Sequence, residues 1–195
     1  NQFGFTAEQM AEYFLQTGQY ADLATAKTEA VDASITTLTE KVTSSAEAIK
    51  AANEAAYDGM ALSDDALSTL KNYIGDVTIG TEGFSDAIDE NNGKIVKNAS
   101  LLQKLVAQKK KEVKATVSAA KAQSHLRYNQ LVKQMRQAVN QMQASYRATG
   151  KVSQATLNNI NALNQQLTAV KNTIKEYAIL ELQLSDAANA YTEYE

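Results

Sequence analysis

The longest periodic stretch of the chain covers residues 98–148, where apolar residues recur at steps of three and four. It contains neither Pro nor Gly, Asn98 can cap its start, and Gly150 follows its end. Strands alternate with a period of two, so this spacing is typical of an α-helix. The repeated positions are Val113, Val117, Ala120, Ser124, Tyr128, Leu131, Met135, Ala138 and Met142. One helix of roughly 75 Å is predicted, at about 1.5 Å per residue, and it needs a packing partner.

A second periodic stretch begins shortly after Gly150, and Ser153 can cap it. Its apolar positions are Ile160, Leu163, Leu167, Val170, Ile174, Tyr177, Leu180, Leu184, Ala187 and Tyr191. A short connection makes two long helices antiparallel neighbours. We therefore predict a hairpin in which apolar residues at matching distances from the turn pack together. These residues are Leu131, Met135 and Met142 on one helix and Leu163, Leu167 and Val170 on the other.

Two helices are predicted in the first 57 residues. Thr6 and Gln9 form a capping box for the first helix, and Gly18 stops it. The second covers residues 21–57, and its apolar steps alternate between four and three. Its repeated positions are Val31, Ile35, Leu38, Val42, Ser45, Ile49, Ala52 and Ala56. This heptad suits a two-stranded coiled coil, and a helical bundle equally well.

The periodicity breaks between residues 58 and 97, where five of the eight glycines lie. Ser63 predicts a capped short helix over residues 66–74, and a second short helix is predicted over 84–89. Residues 89–93 have turn chemistry, since Asn and Gly tolerate positive φ. A small hairpin or a short β-bridge of Val77 and Ile79 with Ile95 and Val96 is expected. This region is interpreted as either a compact knob or a hinge.

These patterns together predict an all-α fold, an elongated helical bundle or an antiparallel coiled-coil-like hairpin with an irregular, Gly-containing middle. The predicted segments are N-terminal helices over 1–57, an irregular connector over 58–97 and the hairpin over 98–195. The chain has no Pro, where average usage of about 5% would give roughly ten, and Pro breaks helix interiors. No apolar run is long enough to predict a transmembrane helix. Because the chain lacks an initial Met and ends within a helical pattern, we interpret it as part of a longer protein.

Charge is distributed unevenly along the chain. Residues 1–96 carry five Lys against sixteen acids, whereas residues 98–147 carry ten Lys and Arg against one acid, Glu112. The plainer interpretation is that the basic helix lies against the acidic helices of the same fold. The alternative is weak, non-specific binding of nucleic acid through the densest basic cluster. That cluster consists of Lys104, Lys109, Lys110, Lys111 and Lys114. Its consecutive lysines point to different sides of a helix, and no aromatic residue is interleaved to stack on bases.

No catalytic, metal-binding or cofactor-binding residue is predicted, and we expect the protein not to be an enzyme. His125 is the only histidine, and its helix neighbours Lys121 and Asn129 supply neither a nucleophile nor a carboxylate. Residues 80–83 lack the Lys and Ser/Thr of a phosphate loop. The acidic groups at 64–65 and 86–90 do not match a calcium loop. The chain contains no Cys.

Residues 88–105 read Ile-Asp-Glu-Asn-Asn-Gly-Lys-Ile-Val-Lys-Asn-Ala-Ser-Leu-Leu-Gln-Lys-Leu. Together with residues 109–121, 153–174 and 187–195, this stretch resembles internal segments of phage tail tape-measure proteins, as found in prophages and long-tailed phages of Gram-positive gut bacteria. The resemblance implies a structural role inside the tail tube, where the extended protein sets tail length and leaves ahead of DNA at infection. It implies location in the virion tail, after synthesis in the host cytoplasm. The implied partners are the tail tube, other tail proteins or further copies of the chain.

A second hypothesis is a helical module of a bacterial protein that binds another protein, or nucleic acid through residues 97–136. Residues 75–93 lack the continuous helical pattern expected of an extended length-determining protein. They are compatible with a folded accessory module. The size of the intact gene product separates the two hypotheses. A tape measure should be many hundreds of residues long and encoded among tail genes.

Overall fold

A computed structural model describes the backbone of residues 23–92 and 94–189 and the side chains of 32–92 and 94–185. Within these ranges the chain is all-α, as predicted, with five helices and one two-stranded sheet. The helices are α1 (Leu23–Glu54), α2 (Asp64–Ile74), α3 (Phe84–Ala87), α4 (Ala99–Thr149) and α5 (Gln154–Asn189). The strands are β1 (Ile88–Asp89) and β2 (Ile95–Val96). The predicted capping box at Thr6, the helix end at Gly18 and the apolar position at Tyr191 lie outside the described residues.

The chain forms two compact units. Unit 1 contains the described residues up to Val117 and from Leu180 onward, and unit 2 is Ser118–Ile179. Helices α4 and α5 each contribute residues to both units. The three sequence segments divide the chain along its length, and that division stays a prediction.

Unit 2 is the predicted antiparallel hairpin. Its core is formed by apolar residues of both helices at the predicted spacing. The buried members are Leu131, Ala138, Leu163 and Val170, and Tyr128, Met135, Ile160, Leu167 and Ile174 pack against them. Met142 is half-buried and lies outside this cluster. The pairing of Leu131 and Met135 with Leu163, Leu167 and Val170 is therefore confirmed.

The turn of the hairpin is closed by the residues that the sequence indicated. Gly150 has a φ of 66°, a left-handed conformation that glycine adopts without a Cβ penalty. Its backbone N–H donates to the carbonyl oxygen of Tyr146 at 2.8 Å, which ends α4. The hydroxyl of Ser153 accepts from the backbone N–H of Thr156 at 3.2 Å and caps α5.

The core of unit 1 is built on α1, which buries a different stripe from the one predicted. Leu38, Val42, Ser45 and Ala52 are buried as expected, but Ile35 and Ile49 are only half-buried. Ala48, Ala51 and Ala55 are buried instead. A straight α-helix drifts by about 20° per heptad relative to a 3.5-residue repeat, so the buried face moves to neighbouring positions. The helix ends at Glu54, and Tyr57, inside the predicted helix, is 73% exposed.

The connector contains the two-stranded sheet, and the predicted pairing was wrong. Strand β2 pairs antiparallel with β1, placing Ile88 opposite Val96, whereas Ile79 pairs with Glu82. The reason is local, because Oδ1 of Asp89 accepts from the backbone N–H groups of Asn91 and Asn92 at 3.2 and 3.1 Å. This Asx turn brings the strands on either side of it together. The helix predicted over 84–89 is correspondingly shorter and ends at Ala87.

Residues that follow α1 run along the other edge of β2. The backbone N–H of Gly59 donates to the oxygen of Val96 at 2.7 Å, and the N–H of Val96 donates to the oxygen of Met60 at 2.8 Å. The predicted Ser63 cap is present, with its hydroxyl accepting from the N–H of Ala66 at 3.2 Å. The connector is therefore a compact, hydrogen-bonded part of unit 1, with Leu70, Ile74, Phe84, Ile88 and Val96 buried.

The N-terminus of α4 is capped from two sides. Oδ1 of Asn98 accepts from the backbone N–H of Leu101 at 2.9 Å, which confirms the predicted cap. Oδ1 of Asp58 accepts from the backbone N–H of Ala99 at 2.7 Å. Two of the N–H groups that a helix leaves without internal partners are thus satisfied, and a carboxylate sits at the positive end of the helix dipole.

We expect Asp58→Ala to lower the free energy of unfolding by about 1 kcal/mol, within the usual range of about 0.5–2 for a lost cap. Urea unfolding followed by circular dichroism measures it. The control is Asp76→Ala, since Asp76 is an exposed connector carboxylate. Equal stability of the two variants would show that Asp58 does not hold the helix end.

Substitution Leu131→Ala should destabilise the hairpin by about 2–5 kcal/mol, because the side chain is buried and its removal leaves a cavity. For a chain of this size, the melting temperature should fall by about 2–4 °C per kcal/mol. The matched control is Lys133→Ala, on the same helix but exposed, which should change stability by no more than about 0.5 kcal/mol. Equal melting temperatures of the two variants would contradict the packing described for unit 2.

Candidate functional site

A polar cleft of about 760 Å³ lies in unit 1, bordered by α1, α2 and α4. Charged residues of both signs line it. The acids are Glu40, Glu47, Asp65 and Glu112, and the cations are Lys41 and Lys109. Hydroxyl groups, including those of Ser44, Ser68 and Thr116, fill much of the remaining surface. Such a lining suits hydrogen bonding with a polar partner, since charged, hydroxyl and amide side chains border the cleft.

Tyr73 joins α2 to α1 at this cleft. Its hydroxyl donates to Oγ of Ser45 at 2.8 Å, and that hydroxyl donates in turn to the carbonyl oxygen of Lys41 at 2.8 Å. Burial raises the pKa of Tyr73, the Glu112 carboxylate acts in the same direction, and the hydrogen bond to Ser45 opposes them. Tyr73 is therefore a protonated donor at neutral pH, and the pair forms a structural link between two helices.

The five lysines of the predicted basic cluster are distributed around α4. Lys109 lines the cleft, and its Nζ lies 3.5 Å from the carboxylate of Glu112 on the same helix. Lys110 lines a smaller groove of about 190 Å³ with Ile49 and Ala52 of α1. Burial lowers the pKa of Lys110, and the neighbouring charge of Lys114 adds to this effect. The other three cluster members, Lys104, Lys111 and Lys114, are exposed.

Opposite charges thus share unit 1, but no ion pair between described side chains connects the basic cluster to α1 or α2. Among the described residues, the acids of the connector pair with other lysines, as in Lys71–Glu90 and Lys94–Asp64. The residues of α4 that are buried in unit 1 are apolar: Ala99, Leu101, Leu102, Leu105, Val106, Val113 and Val117. Up to Val117, α4 lies near the acidic helices as expected, and hydrophobic burial provides the packing there.

The described residues contain no group of three or more His, Cys, Asp and Glu side chains arranged to hold a metal ion. His125 is exposed on α4, and no described helix is long and apolar enough to cross a membrane. No protein-family model, curated protein or solved structure matches this chain.

Sequence reasoning missed the Ser45–Tyr73 link and the cleft. One signal was present: Ser45 occupies a core position of the α1 heptad, where a polar residue needs a buried partner. The identity of that partner could not be read from the sequence, because Tyr73 lies 28 residues further along the chain.

We expect Tyr73→Phe to reduce stability by about 1 kcal/mol near neutral pH, the usual net value of a hydrogen bond. The folded-state pKa of Tyr73 lies above its unfolded value, which is about 10. Its contribution is therefore complete below about pH 10 and is lost as pH rises through the folded pKa.

The measurement is urea unfolding of the parent and the variant at about pH 8 and about pH 11, on either side of that ordinary pKa. The parent should lose more stability than Tyr73→Phe over this interval. Tyr57→Phe is the matched control, since Tyr57 is 73% exposed, and it should follow the parent. An identical alkaline loss in all three proteins would contradict the assignment.

Proposed function

We propose that this chain is a structural, non-enzymatic segment of a phage tail tape-measure protein, which helps to set tail length from within the tail tube. The observation that carries the proposal is α4, an uninterrupted helix of 51 residues. A length-determining protein needs a fixed rise per residue, and an α-helix supplies about 1.5 Å. The resemblance of residues 88–105 and 109–121 to such proteins supports the same role, and these residues lie on the connector and the first part of α4.

The proposed role places the protein in the virion tail, with the tail tube, other tail proteins or further copies of the chain as partners. The hairpin bears on how such a ruler would work. In the hairpin, α4 and α5 run side by side over the same distance. Unit 2 would therefore add only about half of its summed helical length to the length of the tail. Extended end to end, they would contribute all of it, but Leu131, Leu163 and Val170 would then need another apolar partner.

A helical module that binds protein or nucleic acid is the second candidate. The polar cleft of unit 1 and the exposed lysines of α4 favour it. The intact gene product separates the two candidates, because a ruler must be far longer than this chain.

The decisive test is an in-frame deletion of Ser118–Ile179 in a phage that encodes the protein, with tail lengths measured by electron microscopy. The 62 deleted residues should shorten the tail by about 90 Å if both helices are extended, or about 45 Å if the hairpin stays folded, at about 1.5 Å per residue. Normal tails of unchanged length would reject the tape-measure role.

The matched control replaces the same residues with an unrelated helical hairpin of equal length. A ruler depends on length rather than on side chains, so tail length should return to that of the parent. Tails that recover only with the native segment would indicate a binding role for unit 2 instead.

A further inference from the structure

Unit 2 has a charge distribution that differs sharply from the rest of the chain. No acidic residue occurs between Glu112 and Glu176, a stretch that covers nearly all of the hairpin. Ser118–Ile179 holds eight Lys and Arg residues against one acid, which leaves seven net positive charges. The complete chain has a net charge of -3, so unit 2 is a basic element within an acidic protein.

Part of this charge lies in a stripe on the outer face of α4. Seven exposed polar residues recur there at steps of three and four, the spacing of one helical face. They are His125, Asn129, Lys133, Arg136, Asn140, Gln143 and Arg147. Lys133 lies two positions from both Leu131 and Met135, about 200° around the helix from each at about 3.6 residues per turn. The stripe therefore faces away from the hairpin core.

The chemistry of this outer stripe suits a polyanion. Lys and Arg neutralise phosphates, while Asn and Gln amides donate to phosphate oxygens and base edges. None of its cations forms an ion pair within the described chain. The stripe spans 22 residue steps, or about 33 Å at about 1.5 Å per residue, close to one turn of B-DNA at about 34 Å. The major groove, about 12 Å wide, admits an α-helix.

We propose that the outer stripe of α4 in unit 2 binds duplex DNA without sequence specificity, mainly through its phosphates. This site differs from the basic cluster at residues 104–114, whose lysines point around the helix and share unit 1 with acids. An acidic protein surface fits less well. Protein carboxylates are separated from one another, and some pair with lysines of their own, as Asp64, Glu90 and Glu54 of unit 1 do. DNA instead presents a continuous row of phosphates. The proposal is independent of the tape-measure role, and its failure would leave the tail-length test unaffected.

The test compares the full chain with two triple variants that remove equal charge. Lys133→Gln, Arg136→Gln and Arg147→Gln alter the outer stripe, and Lys104→Gln, Lys111→Gln and Lys114→Gln form the control. All six residues are exposed, and circular dichroism melting verifies that both variants fold like the parent. Binding to a fluorescently labelled duplex of mixed sequence is followed by anisotropy across a salt series.

The parent should bind at about 50 mM salt and release the duplex above about 0.3 M, as expected for phosphate contacts. The stripe variant should bind at least tenfold more weakly. Its slope of log affinity against log salt should be shallower by about 2.7, or about 0.9 for each lost contact. The control variant should keep the parental slope.

Three results would overturn the proposal. One is a parent that fails to bind the duplex at low salt. Another is equal weakening in both variants, which would show that net charge alone matters. The third is a stripe variant that binds DNA like the parent but loses self-association in sedimentation equilibrium, which would identify a second copy of the chain as the occupant.

Discussion

Burial of one apolar stripe along α4 is the constraint on which the rest of the structure depends. A single helix cannot keep such a stripe in water, since its stability comes mostly from packing. Different parts of the chain therefore cover it in the two units. In unit 1, Leu102, Leu105, Val113 and Val117 are buried, and α1 and α4 line common grooves. In unit 2, α5 covers the stripe, with Leu163 and Val170 in the shared core.

The start of α4 explains why the connector is folded rather than open. A helix begins with N–H groups that need acceptors, and Asp58 and Asn98 provide two of them. Gly59 and Met60, which follow Asp58, bond to Val96 of β2, and β2 pairs with β1 across the Asp89 turn. Asp58, Gly59, Met60, β1 and β2 thus form one hydrogen-bonded structure at the N-terminus of α4. Outside α2 and α3, this region shows no helical period because its backbone hydrogen bonds are not helical.

The distribution of charge follows from the same packing. Hydrophobic contacts hold α4 in unit 1, so its lysines need not pair with acids, and exposed ion pairs would add little stability. Connector acids pair with connector lysines instead. Part of the positive charge of the hairpin lies on the face of α4 opposite the hairpin core. The proposed DNA partner and the proposed structural role in a tube are both compatible with such a surface.

The sequence alone determined the helix boundaries at Asn98, Gly150 and Ser153 and the residues of the hairpin core. These features depend on local capping chemistry and on a period set by about 3.6 residues per turn. It also indicated a turn at residues 89–93. Tertiary structure alone decided that Ala48 and Ala51 replace Ile49 in the core and that Asp58 caps α4. It also decided the Ser45–Tyr73 bond and the polar cleft. Each of these joins residues far apart in the chain or depends on how helices rotate against one another, and neither is encoded in a local pattern.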